Sequence, residues 1–199
     1  MTLDRLRPLA DRALRPFVDL AIRAGLSPDG VSVFAFLLAV GAAAAFYVAT
    51  PTAYVVGGLL VAANGWLDLL DGALARRLSV DSPGGDLLDH VLDRYADVVI
   101  VAGLAAGVEA YALGFLAVTG VLLTSYLGTQ IEAVGLEREY GGLLGRADRL
   151  ALVGATGVAM AVVPSVGGLT LVAWLLALFA VVGHVTAIQR FFAAWSDLG

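Results

Sequence analysis

Residues 68–97 read DLLDGALARRLSVDSPGGDLLDHVLDRYAD. The stretch carries Asp68, Asp71, Asp86, Asp89, Asp93 and Asp97, three arginines (Arg76, Arg77, Arg94) and the turn-forming Pro83-Gly84-Gly85. Long apolar runs flank it on both sides. Carboxylates at the edge of a hydrocarbon layer are costly unless paired, hydrated or bound to metal, so this stretch is where function is expected.

The apolar runs decide the fold class. The 199 residues are 60% hydrophobic and 15% charged, with mean hydropathy +0.89. A soluble domain is nearer half apolar and a quarter charged. The composition therefore predicts an all-α, polytopic membrane protein. Six spans are expected, near 31–50, 53–68, 85–107, 111–133, 150–163 and 169–189. Most approach the roughly 20 residues a crossing helix needs; the fifth is short. Before them, Leu3, Leu6, Ala10, Leu14, Phe17 and Ala21 recur at three- and four-residue steps, with arginines between. That spacing predicts an amphipathic helix on the membrane surface, with Pro16 kinking or breaking it. The expected division is a juxtamembrane helix over 1–28 and a six-helix domain over 29–199.

Arginine sets the orientation. All 12 basic residues are arginine; eleven cluster before the first span, after the second, between the fourth and fifth, and after the sixth, and Arg94 lies about two turns into the third from the same side. The turns on the other side (ATPTAY, VEAYA, PSVGG) hold none. The positive-inside rule then puts both termini and the acidic centre in the cytoplasm, which an even number of spans requires. No secretory signal is evident, and the cell membrane is the expected location. With no cysteine, disulfides and thiolate metal sites are excluded. A net charge of −5 without a basic stripe argues against nucleic acid.

The carboxylates follow helical spacing. Asp68 and Asp71 share a face at the end of the second span, and Asp89, Asp93 and Asp97 share one at the start of the third. The short connection predicts that these two helices are antiparallel neighbours, so the acids converge. Hard divalent cations with oxygen ligands answer their mutual repulsion, and Mg²⁺ suits a few carboxylates plus phosphate oxygens. Gly72 and Gly85 leave room for a ligand, and Arg76 supplies a cation suited to phosphate. A two-metal, phosphate-handling site follows. A cation pathway through a transporter is the competing class, but it predicts acids near the bilayer midplane and inverted repeats. Interfacial charges paired only with arginine is the third reading, and here the acids outnumber their partners.

The series Asp68-x2-Asp71-Gly72-x2-Ala75-Arg76-x8-Gly85-x3-Asp89-x3-Asp93 matches, position for position, the signature of the CDP-alcohol phosphotransferase family. The chain resembles that family over essentially its whole length. The resemblance implies transfer of a phosphoalcohol from a CDP-linked lipid donor to a second alcohol, releasing CMP. It implies that Asp68, Asp71, Asp89 and Asp93 hold two divalent ions, Mg²⁺ or Mn²⁺, against the donor pyrophosphate. It makes Asp93 the general base, and Gly72, Ala75, Arg76 and Gly85 the lining of the CDP site. Pro28-Asp29 stands where members often carry Pro-Asn.

Arg138, Arg146, Arg149 and Arg190 gather outside the metal motif, an arrangement suited to a phosphorylated acceptor. The stretch LDHVLDRYAD, with Ser125-Tyr126 and the later Arg146-x2-Arg149, resembles the inositol-phosphate-using branch. The basic residue that branch carries after Ser-Tyr is replaced by Leu127-Gly128-Thr129. Glycerol phosphate as acceptor, or CDP-inositol as donor, therefore stays open. Gly103-x3-Gly107 permits close helix packing and, at most, a homodimer.

Overall fold

The computed structural model describes residues 7–80, 82–136 and 143–198, with residues 7–11 as backbone alone. The described residues form α1 (Arg7–Arg23), α2 (Pro28–Val48), α3 (Pro51–Leu78), α4 (Pro83–Gly107), α5 (Tyr111–Ala133), α6 (Arg146–Met160) and α7 (Leu171–Leu198). A two-residue ribbon, β1 (Ser165–Val166) and β2 (Leu169–Thr170), joins the last two helices. It is the one departure from an all-helical chain among these residues. Gly167 and Gly168 both have positive φ, at 61° and 82°, as a tight hairpin turn requires. The Trp174 indole donates to the Val166 carbonyl at 3.0 Å and ties the ribbon to α7.

Three helices begin the same way. Ser27-Pro28, Thr50-Pro51 and Ser82-Pro83 each put a hydroxyl at the cap and proline in the first turn. Each hydroxyl accepts from a backbone N–H three residues on, at 3.1, 3.2 and 3.0 Å. The proline costs nothing there, because its missing N–H would have no intrahelical partner. Inside a helix proline is expected to interrupt, yet α1 continues through Pro16. Pro16 and Arg12, whose carbonyl loses its helical partner, are both exposed, so water can satisfy the freed oxygen.

Leu14, Val18 and Ala21 on one face of α1 pack against Leu70 and Leu74 of α3, and Phe17 meets Trp66 edge-on at 5.4 Å. The remaining helices bury Phe46, Ile100, Leu104 and Leu176 together with many alanines, and turn other large side chains outward. Ala39, Ala42, Ala96 and Ala117 are fully buried, while Phe34, Leu37, Leu59, Phe115 and Phe192 are exposed. Alanine at helix contacts and apolar bulk on the outer surface are what a hydrocarbon solvent selects. Among the described residues, four helices, α2, α3, α5 and α7, are long and apolar enough to cross a membrane. The protein is a multi-pass membrane protein.

The order of packing differs from expectation in one respect. α3 and α4 were expected side by side, but α2 lies between them and packs extensively on both. Gly103 and Gly107 explain this: a Cβ at either position would collide with the α2 backbone at Ala43 or Phe46. The glycine pair thus serves a contact within the chain. α6 packs on α3, and α5 packs on α4 and α7. The gap this leaves between the end of α3 and the start of α4 holds the acids.

Candidate active site

Asp68 and Asp71 occupy the last two turns but one of α3, and Asp89 the second turn of α4. One carboxylate oxygen from each of the three lies within 4.8 Å of the others. Oxygens around one hard divalent ion sit at 2.0–2.6 Å from it, so this spacing fits a single cation. Ser32, from α2, donates to Asp71 Oδ2 at 2.7 Å and fixes its orientation. Nothing in the motif points to Ser32, because it lies 39 residues away in sequence; only the position of α2 brings it in.

Asp93 lies one turn deeper and is held differently. Arg146, the first residue of α6, sets one guanidinium nitrogen 2.6 Å from Asp68 Oδ1 and the other 2.6 Å from Asp93 Oδ1. Arg94 is 3.5 Å from Asp93 on its other oxygen. Arg146, expected among the acceptor arginines, is therefore engaged with the acidic motif itself. The start of α6 is built for this: Asp148 accepts from the Gly145 N–H at 3.0 Å and closes the first turn.

Two cavities of about 550 Å³ each open at these residues. The first is lined by Asp71 and Asp89 together with Gly72, Ala75, Arg76 and Gly85. All four residues expected at the donor site thus share one wall with two of the acids. Asp29 lines it too, and a Cβ on Gly85 would press to 3.2 Å from the Asp29 carboxylate. Glycine there lets α2 and α4 approach across the opening. The second cavity is lined by Arg94, Ser125, Tyr126, Arg146, Arg149 and Arg190, among others. Three of the four expected acceptor arginines meet there; Arg138 lies outside the described residues, as does the amphipathic segment before Arg7.

Asp97 organises the second cavity from behind. It is 5% exposed, and its Oδ2 lies 3.0 Å from Arg149 and 3.3 Å from Arg94. Arg94 also donates to Ser125 on α5. Arg190 is buried and donates to the Thr124 carbonyl at 2.6 Å. The four-residue step from Asp93 to Asp97 marks the position, but the partner, 52 residues on, is set by packing. Of the two histidines, His90 lines the second cavity. His90 Nδ1 is 2.8 Å from its own helix at the Asp86 carbonyl, and His184 bonds between α5 and α7.

With this geometry in view, the chain can be compared with known proteins. The family model for CDP-alcohol phosphatidyltransferases matches residues 26–179. The chain belongs to the CDP-alcohol phosphatidyltransferase family, and is an enzyme of the transferase class. It is 31% identical to the archaetidylinositol phosphate synthase of Methanothermobacter thermautotrophicus, over 98% of this chain and 95% of that protein. Phosphatidylinositol phosphate synthase of Mycobacterium tuberculosis, solved with CDP-DAG bound, superposes with TM-score 0.77 at 27% identity, covering 92% of this chain and 94% of that one. The same enzyme in complex with manganese and citrate gives TM-score 0.78 at 26% identity, covering 92% and 88%.

Proposed function

We propose that this protein transfers the phospholipid moiety of a CDP-linked lipid, CDP-archaeol or CDP-diacylglycerol, to a phosphorylated polar alcohol, inositol phosphate first among them, releasing CMP. One observation carries the reading. A cavity walled by motif residues, Asp71 and Asp89 among them, and a cavity carrying four arginines are connected through Arg146, which lines the second and bonds Asp68 and Asp93. That is the layout a two-substrate transfer between a pyrophosphate donor and an anionic acceptor requires. The inositol phosphate in the names of relatives that match along almost the full chain supports the acceptor.

Asp68, Asp71 and Asp89, joined by Asp93, would hold divalent cations, Mg²⁺ or Mn²⁺. A bound ion would supply charge neutralisation for the donor pyrophosphate and for the departing CMP. The chain's own residues do the rest. Gly72, Ala75 and Gly85 let the nucleotide approach the helix backbones, and Arg76 pairs with phosphate. Arg149 and Arg190 hold the acceptor phosphate, with Asp97 fixing the Arg149 guanidinium. Asp93, bonded to Arg146 of the second cavity, takes the proton from the acceptor hydroxyl. The hydroxyl oxygen then bonds to the β-phosphorus as the pyrophosphate P–O bond breaks and CMP leaves.

The membrane arrangement belongs to the same proposal. α2 to α7 form six spans over 29–199, with α1, within 1–28, lying on the cytoplasmic face of the cell membrane and both termini on that side. α3 and α7, at 28 residues each, are about 42 Å long and exceed a hydrocarbon layer of roughly 30 Å. Their charged ends reach the headgroup region, where lipid tails stay in the bilayer while the chemistry happens at its edge. The test is CMP release from either CDP-lipid with Mg²⁺, using inositol phosphate, glycerol phosphate, serine and free inositol separately. Release is expected with a phosphorylated acceptor and not with serine or free inositol. Release with free inositol alone would overturn the acceptor assignment.

A further inference from the structure

Arg146 occupies an unusual position. It lines the arginine-walled cavity, yet both terminal nitrogens of its guanidinium bond the metal-motif acids Asp68 and Asp93, each at 2.6 Å. Its Nε is buried and has no hydrogen-bond partner. The side chain is thus satisfied only at the end that grips the carboxylates. Asp68 belongs to two groupings, the three-oxygen cluster with Asp71 and Asp89 and the Arg146 clasp. Asp93 stands outside the three-oxygen cluster but beside Asp68, and it is held by the clasp and by a longer contact with Arg94.

This divides the four acids unequally. One divalent ion fits among Asp68, Asp71 and Asp89 with Arg146 where it is. A second ion drawing on Asp68 and Asp93 would need the oxygens that Arg146 bonds. Charge points the same way. Asp68, Asp71, Asp89, Asp93 and Asp97 against Arg146, Arg94 and Arg149 leave two formal negative charges, and a first divalent ion cancels them. A second ion beside the guanidinium would make the cluster net positive and put two cations within a few ångströms, where in a partly buried site their repulsion is about four times that in bulk water.

We propose that Arg146 is a built-in cation of the aspartate site, which competes with a second divalent ion for Asp68 and Asp93 and turns to the arginine-walled cavity when that ion takes them. A guanidinium released there joins Arg149 and Arg190, and an anion bound in the cavity draws it over by bidentate pairing. The second ion and the acceptor phosphate therefore reinforce each other, and linkage makes the effect reciprocal. The phosphate arm rests on the acceptor reading given above; the metal competition does not.

The test is a Mn²⁺ titration of the full chain in nanodiscs, with free Mn²⁺ read by electron paramagnetic resonance. The wild-type chain should bind one Mn²⁺ tightly and a second at least about tenfold more weakly. Arg146→Gln should tighten the second ion about tenfold while moving the first by less than about threefold. Arg146→Lys, which keeps the charge and guards against loss of the fold, should fall between. Inorganic phosphate at fixed free Mn²⁺ should tighten the second ion in the wild type and not in Arg146→Gln. A second-ion affinity unchanged or weakened in both variants would overturn the proposal. So would phosphate coupling that survives undiminished in Arg146→Gln. No readout uses a CDP-lipid or turnover, so failure of the acceptor assignment would leave the Mn²⁺ result standing.

Discussion

At the scale of single residues, the site separates into groups with distinct expected effects. Asp93→Asn keeps a hydrogen-bonding side chain toward Arg146 but removes the proposed base. Turnover should fall by about 10²–10⁴, while CDP-lipid binding measured directly stays within about threefold. Parallel loss of binding and turnover would remove the base role. Arg149 needs a gentler change, because deleting it would strip a partner from buried Asp97, a costly change. Arg149→Lys preserves that charge and gives up the planar fork. It should raise the acceptor KM about tenfold and leave the donor KM unchanged; equal rises in both would contradict the assignment. Local spacing made Asp68, Asp71, Asp89 and Asp93 legible, since steps of three and four align carboxylates on a helix face. It could not reveal that Ser32 holds Asp71, or that Arg146 grips the acids rather than facing the acceptor alone. Those pairings depend on which helices are neighbours.

Element packing rests on close helix approaches through glycine. A Cβ on Gly183 of α7 would sit 2.6 Å from the Gly120 carbonyl carbon of α5. Gly183→Leu should therefore force the two helices apart and destabilise the protein by about 1–3 kcal/mol, lowering the thermal midpoint in detergent. Because α5 and α7 also carry Ser125 and Arg190, acceptor KM should rise before donor KM does. An unchanged midpoint would mean that the contact is not tight. Helix starts were legible from the Ser-Pro and Thr-Pro pairs, whose capping chemistry is local. The placement of α2 between α3 and α4 was not. Gly103 and Gly107 signal a close contact, but nothing in their spacing names the partner helix.

Over the whole molecule, the outward Phe and Leu side chains fit a lipid-facing helix bundle, and the proposed orientation rests on the distribution of the arginines. The absence of cysteine permits a clean test of that topology. Single cysteines at Gly167, in the hairpin turn, and at Ser196, near the end of α7, should react with a membrane-impermeant maleimide from opposite sides. Ser196→Cys should label only once the cytoplasmic face is opened. Labelling of both from the same side would break the proposed six-span arrangement. Apolar length made the helical elements legible, four of those described being long and apolar enough to cross a membrane. The ribbon at β1 and β2 was not, since the PSVGG turn reads only as a break between spans.

The central claim, that an acidic cluster joins a CDP-lipid cavity to a cavity for a phosphorylated alcohol, is tested most directly by the product. Purified protein with Mg²⁺, CDP-archaeol or CDP-diacylglycerol, and inositol phosphate should yield CMP and a lipid that mass spectrometry finds carrying both a phosphodiester and a phosphomonoester. That lipid should be absent with Asp93→Asn. A product carrying the phosphodiester alone, formed equally well from free inositol, would contradict the account.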